Sequence, residues 1–533
     1  MNSSLGWRWQ RLGPWLILGL GLASMFHPMI ASGFRLMQSD PFDTRFNHYL
    51  LEHAYRCLSR APHVGSLWNP GFFYPMQNAL AFSDTLLSLQ PFYAPWRLLG
   101  LPPEPAFQAW MLLTAALNFL AAYVFLKKWF CENPLAAALG AFLFSFGNSR
   151  AAQLGHQQLL PQFYVVLACH ALGYVFSSSG PEAAPGPRRL GVAAFFACFT
   201  LQFYAGFYYG VFFALALALA LAWALAAGEG RGRLRLFLGR DGIFAGACCL
   251  LAAASAWPLA AHYLQTFHMV GRRPFGPVQP MIPTIVSWFS MGGGSLLYGR
   301  LAALPAFAAL PMGHEHQIGL GIATTAVAAG GFAKGRDRAP LRLIGLTTLS
   351  LVLLSIEWPG GFTLWKLVFD WFPGACGMRA VARIGVFLLL PFAVGLAWNF
   401  DLAFKKSAAA PLLMAALCLL EQARAAGGYD WRAQRAGHEA VAAQVSRDCS
   451  VFLYSPPASA PFAEDQYQID AMWAQLETGV ATLNGYSGNW PPRWPFHQIK
   501  IAWPADARRR DLALAGWLSK WRAEPQKVCV VSP

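Results

Sequence analysis

The side chains best suited to chemistry begin with Ser39-Asp40-Pro41-Phe42-Asp43-Thr44-Arg45-Phe46-Asn47-His48, followed by Glu52 and His53. A carboxylate where water meets an apolar phase is partly desolvated, which raises its pKa towards the range of a general base able to take a hydroxyl proton. The same residues suit a structural duty. Asp is a favoured N-cap and Pro41 fits a first helical position, so Asp40 and Asp43 can equally start a helix. Another acid, Asp84, follows Trp68-Asn69-Pro70-Gly71-Phe72-Phe73-Tyr74-Pro75. Prolines and a glycine among aromatics predict an irregular packed loop whose flat surfaces, Tyr74 among them, suit a sugar or lipid. Ser83-Asp84 then opens an amphipathic stretch to about residue 100 that lies along a membrane interface, where Asp84 also fits a helix start.

Cations for a phosphate come from Arg379 and Arg383, four residues apart. On a helix they share one face and can grip a phosphate together, or they snorkel to lipid headgroups. Arg272 and Arg273 are weaker candidates for that duty. In His314-Glu315-His316 the two histidines lack a further defined ligand, so no metal site is drawn and Glu315 is read as a polar contact to substrate. His156, with Gln157 and Gln158, falls in a short turn where it can hydrogen-bond a sugar or satisfy helix ends. His170 and His262 read as satisfied core histidines. The ten cysteines show no metal spacing. Cys449 and Cys529, each beside a short apolar strand, either bridge in an oxidising compartment or remain free.

These groups need a frame, and the composition says which kind. The 533 residues are 56% hydrophobic and 12% charged, about half the charge of soluble chains. Aromatics at 15% suit lipid-facing helices and interfacial anchors. The expected fold is an all-α polytopic membrane protein with about eleven transmembrane helices. They fall near 14–33, 106–126, 134–148, 158–176, 190–206, 207–227, 242–262, 316–333, 341–356, 384–402 and 407–421. The first run reads as an uncleaved helix.

The net charge of +15 does not indicate nucleic acid. Its cations sit in short clusters between apolar runs: Arg8/Arg11, Lys127/Lys128, Arg188/Arg189, 231–240, 334–342 and Lys405/Lys406. With a cytoplasmic N-terminus all of them face the same side, the pattern of an inner membrane face lined with anionic lipid. A long first loop (34–105), loops near 263–315 and 357–383, and the tail then lie outside. Charged residues return in 422–533, marking a small extracytoplasmic α/β domain after a membrane domain over 1–421.

A first helix, a long outer loop opening on Ser39-Asp40-Pro41-Phe42-Asp43, interfacial helices in that loop, many further spans and an outer tail together resemble the GT-C superfamily of membrane glycosyltransferases. Trp68-Asn69-Pro70, Phe73-Tyr74-Pro75, Ser83-Asp84, the segment from Gly155-His156 to Pro161, and Asn484-Gly485-Tyr486-Ser487-Gly488 look like its uncharacterised bacterial branch near the protein O-mannosyltransferases and lipid A aminoarabinose transferases. The adjacent Asp-Glu pair of the mannosyltransferases is missing. The resemblance implies inverting transfer of a sugar from a polyprenyl-phosphate donor to a hydroxyl of a lipid, glycan or protein. The chemistry runs on the periplasmic face of the bacterial inner (plasma) membrane. It places catalytic carboxylates among Asp40, Asp43 and Asp84, with Asp40 first, and substrate contacts among Arg45, His53, Tyr74, His156, Glu315, Arg379 and Arg383. No cofactor is assigned, and a divalent cation stays open. A transporter or lipid-linked-sugar flippase is the alternative, although ionisable groups gather in outer loops rather than at the midplane where transporters keep them.

Overall fold

Each of the eleven apolar runs coincides with helix in the computed structural model, which describes residues 3–62, 64–177, 185–456, 464–496, 504–521 and 528–532. The polar stretch 177–187 lies largely outside the described residues. Among the described residues five helical segments are long and apolar enough to cross a membrane: Pro103–Trp129, Gln157–Ser177, Phe207–Ala226, Gly230–Val270 and Val381–Phe404. Arg11–Met25, Ala339–Leu354 and Ala409–Glu421 are shorter apolar helices.

Local chemistry sets the boundaries. Asn133 caps Pro134–Phe146 by accepting from the Leu135 amide, with Pro134 at the first helical position. Gly206 separates Pro185–Ala205 from Phe207–Ala226. Phe199 meets Phe213 across that break with ring centroids 5.8 Å apart, so the two helices fold back on each other and Gly206 is the turn. The helix Glu229–Val270 runs 42 residues, about 63 Å at 1.5 Å per residue. Its flank is apolar and outward-facing, with Ile243 94% exposed, the surface of a helix solvated by lipid. The helix expected from 316 begins at Ile322, which leaves Glu315 and His316 in the preceding loop.

The tail builds a three-stranded parallel sheet in which Val451–Tyr454 lies between Ala481–Thr482 and Val528–Val531. Helix Glu464–Thr478 makes the crossover that a parallel pair requires. Cys449 and Cys529 are disulfide-bonded beside the paired strands. This tail shares one core with the first loop. Leu36–Gln38 pairs antiparallel with Gly428–Asp430, Trp473 packs edge-on to Tyr49, and buried Arg45 pairs with Asp470 at 2.7 Å. Helix Asp43–Leu58 is thereby clamped between the membrane part and the tail, and its first residue is the acid that matters next.

Candidate active site

Helix Asp43–Leu58 begins at Asp43, with Phe42 as its N-cap residue. Asp40 spends itself on the turn before the helix: Oδ1 accepts from the Phe42 amide at 2.9 Å and Oδ2 from the Ser39 hydroxyl at 3.1 Å, an Asx-type turn. Gly155 lies against Asp40 so closely that a side chain there would strike the carboxylate. The glycine lets the His156 turn approach.

That approach is fixed by amides. Asn47 donates to the Gln158 side-chain Oε1 at 2.9 Å, and Gln157 donates to the Thr44 hydroxyl at 2.7 Å. His156 Nε2 consequently sits 3.1 Å from Asp43 Oδ2 and 4.0 Å from Glu315 Oε1. The other Asp43 oxygen accepts from the Tyr486 hydroxyl at 2.6 Å. Glu315 takes a two-pronged bond from Arg383, at 2.7 and 3.2 Å, and both side chains are buried. The Arg383 guanidinium lies over the Tyr208 ring, 5.1 Å from its centroid. The Tyr208 hydroxyl accepts from the backbone amides of Arg379 and Ala380. Six segments far apart in sequence thus converge on one line of side chains: Tyr486, Asp43, His156, Glu315, Arg383, Tyr208.

The electrostatics follow from that line. Burial pushes Asp43 up, but the His156 contact, the Tyr486 hydrogen bond and the charge of Arg383 outweigh it and hold the carboxyl at about 2. Burial likewise works against ionised Glu315, and Arg383 overrides it, again to about 2. Asp84 is the contrary case: burial raises it to about 6 against the pull of the Phe207 amide and Arg383. Asp43 keeps 28% of its side-chain surface open and His156 19%, so an ionised carboxylate reaches the surface beside buried charges.

The structure rearranges several expectations. Arg379 and Arg383 do not share a helix face. Met378 to Ala380 is irregular, and Arg383 ends the short 3-10 turn Val381–Arg383. Tyr208 holds the backbone at 379 and 380, and this turns Arg383 inward to Glu315 while Arg379 is exposed. Arg379 has another cation for company. The Arg273 side chain is half-buried and its pKa is lowered by burial, opposed by Tyr208 and reinforced by the charge of Arg379. Arg273 donates to Asn489 at 2.9 Å, and its Nε is buried with no acceptor among the described residues. Arg272 instead pairs with Asp370.

Asp84 does cap a helix, but not the one that follows it. Its Oδ1 accepts at 2.6 Å from the amide of Phe207, the first residue of Phe207–Ala226. Arg45 is committed to Asp470, Gln434 and His438. His53 bonds the Leu67 carbonyl, and burial lowers its pKa to about 4. Tyr74 is pinned through its backbone to Thr482 and Trp517 of the tail. None of these last three joins the line. His316 lies between Ser287 and the Pro280 carbonyl, and His262 between Trp68 and Asn78. Among the described residues no group of three or more His, Cys, Asp or Glu gathers as a cation site.

Tyr486 and Tyr208 escaped sequence reading as site residues. The glycine-flanked segment that holds Tyr486 was the available signal, and nothing in the apolar run around Tyr208 set it apart.

No family model matches the chain, and no curated protein does. Among solved structures it is similar to the archaeal oligosaccharyltransferase AglB from Archaeoglobus fulgidus, in complex with an inhibitory peptide and a dolichol-phosphate. Identity is 11% and the TM-score 0.44 over 90% of this chain, which spans 65% of the AglB chain. It is also similar to ArnT from Cupriavidus metallidurans bound to undecaprenyl phosphate, at 13% identity and TM-score 0.40 over 85% of this chain and 84% of that one. ArnT in the apo state matches at 14% and 0.37, over 88% of this chain and 85% of that one.

Proposed function

We propose that this chain is a membrane glycosyltransferase acting at the outer face, with Asp43 rather than Asp40 as the group that receives the acceptor's proton. The observation that carries this reading is the pairing of Asp43 with His156 and Tyr486 at an open edge of a buried charge line. The acceptor oxygen forms a bond to the anomeric carbon, the bond from that carbon to the phosphate oxygen breaks, and polyprenyl phosphate leaves with inversion. The hydroxyl proton passes to Asp43. A weakly basic carboxylate suffices because the leaving group is a good one, so positioning and charge stabilisation carry most of the rate.

Arg379 and Arg273, near enough for the charge of Arg379 to lower the Arg273 pKa, supply cations for the leaving phosphate. The polyprenyl-phosphate class of donor rests on the sequence resemblance. Sidedness is supported by the Cys449–Cys529 disulfide, since such bonds persist in oxidising compartments, and by the one-sided basic clusters.

The test is transfer from a polyprenyl-phosphate sugar by membranes carrying wild type, Asp43→Asn or Asp40→Asn, read by mass spectrometry of envelope lipids and glycans. Inserted, folded and inactive Asp43→Asn beside active Asp40→Asn is the expected result. Full activity of Asp43→Asn removes that residue from the mechanism. Accumulation of an inner-leaflet precursor without the protein points to a flippase instead.

A further inference from the structure

Beyond the charge line lies a partly buried cation that meets no carboxylate among the described residues. Arg424, just after the helix Ala409–Glu421, donates from Nη1 to Asn148 Oδ1 and from Nη2 to Gln317 Oε1, both at 3.1 Å. Two neutral amide oxygens leave its charge unbalanced. Burial alone lowers its pKa, to about 10, with no acidic neighbour acting on it. Glu421, three residues earlier, is occupied by the amides of Ala323 and Thr324, the Thr324 hydroxyl and Tyr298.

Against Arg424 lies the turn Met291-Gly292-Gly293-Gly294-Ser295. Ser295 bridges Arg424 through the backbone, and Asn148 ties in the Met291 carbonyl at 3.0 Å. A side chain at Gly294 would meet the Arg424 guanidinium at 2.6 Å, and Gly292 has a positive φ of 74°. Among the described residues no acceptor meets the backbone N–H groups of Gly292, Gly293 and Gly294, although Gly292 is buried. Buried N–H groups are nearly always paired. Consecutive free amides in such a turn form a concavity that takes anions.

We propose that Arg424 and the Gly292–Gly294 turn form a binding site for an oxyanion, a phosphate or carboxylate group carried by the acceptor. The oxyanion chemistry stands on these residues alone, whereas its assignment to the acceptor rests on the transferase reading. Arg424 touches Gln317, two residues from Glu315 and so beside the middle of the charge line, whereas Arg379 sits beyond Arg383 at its Tyr208 end. A donor phosphate at Arg379 and an acceptor anion at Arg424 would then occupy separate cation sites along one line of charge. The acceptor class is thus an acidic glycan or phosphate-bearing molecule rather than a neutral one.

The experiment is calorimetric titration of inorganic phosphate into the full-length protein in neutral-detergent micelles, with glucose as the uncharged control. Wild type binds phosphate saturably and glucose not at all. Arg424→Gln weakens phosphate binding at least tenfold, while Arg424→Lys, which keeps the charge and serves if the glutamine variant misfolds, stays nearer wild type. In the double variant Arg273→Ala/Arg379→Ala, which lacks the donor clamp, phosphate still binds and adding Arg424→Gln abolishes that binding, which separates this site from the clamp. Undiminished binding by folded Arg424→Gln, or no binding by folded wild type, overturns the site. Displacement of phosphate by undecaprenyl phosphate overturns the acceptor assignment.

Discussion

Tyr486 donates its hydroxyl to Asp43 across 2.6 Å although the two residues are 443 positions apart. The tail therefore completes the candidate site rather than hanging from it. The strand pairing of Leu36–Gln38 with Gly428–Asp430 and the buried Arg45–Asp470 ion pair hold that closure in register. Any hinge of the tail away from the first loop would take Tyr486 with it and expose Asp43.

Asp43→Asn is expected to lower transfer by about 10²- to 10⁴-fold, the usual contribution of a positioned proton acceptor. Asp43 is depressed from 3.8 to about 2, so its ionised form is favoured by folding. That contribution is complete above about 3.8 and is lost as pH falls towards about 2. Rates from pH 5 to 8 should carry no limb from this group, and a pH profile of wild type checks it.

Tyr486→Phe removes the donor while keeping the ring that packs edge-on to Phe46. A hydrogen bond to a charged group contributes about 1.5–3 kcal/mol, reduced here because Asp43 is partly open to water. Transfer should fall roughly tenfold, with melting of the detergent-solubilised protein little changed. A variant as active as wild type would reduce Tyr486 to a packing residue.

Apolar runs were legible as helices because each is built from residues that must leave water, and their ends carry proline, glycine or charge. Asp43, His156, Glu315 and Arg383 were legible as candidates because ionisable groups are rare in this chain. Their arrangement was not. Whether Arg383 turns towards Arg379 or Glu315 depends on the Tyr208 hydroxyl catching two backbone amides, a contact between remote segments with no local signature. Asp40 and Asp43 are indistinguishable by type and spacing. Gly155 and the Asn47, Gln157 and Gln158 amides separate them in space.

Asp84 predicts a pH effect of the opposite sign from Asp43. Its native pKa, about 6, is above the unfolded 3.8, so folding favours the protonated form. That stabilisation is full below about 3.8 and is lost as pH rises through about 6. Asn at 84 imitates the neutral acid and keeps an oxygen for the Phe207 amide. Wild type should melt lower at pH 7.5 than at pH 4.5 relative to Asp84→Asn, a difference of about 2 kcal/mol, the part of the shift expressed between those pH values. Parallel melting curves across that interval would show that Asp84 does not titrate there.

The Glu315–Arg383 pair should behave as a unit. Both side chains are buried and joined twice, so removing one leaves the other charged in a poor solvent, at about 3–5 kcal/mol. Removing both spares that penalty. Glu315→Gln and Arg383→Gln are each expected to lower the melting temperature more than half as much as the double variant does, a non-additivity that a double-mutant cycle measures. Activity splits the two singles. Arg383 helps to keep Asp43 ionised, so Arg383→Gln lets that carboxyl rise and shifts the acid limb of the rate upward, whereas Glu315→Gln leaves Arg383 free to face Asp43 and does not. Additive melting losses, or identical acid limbs in the two variants, would mean that the pair braces the loop without reaching the carboxylate.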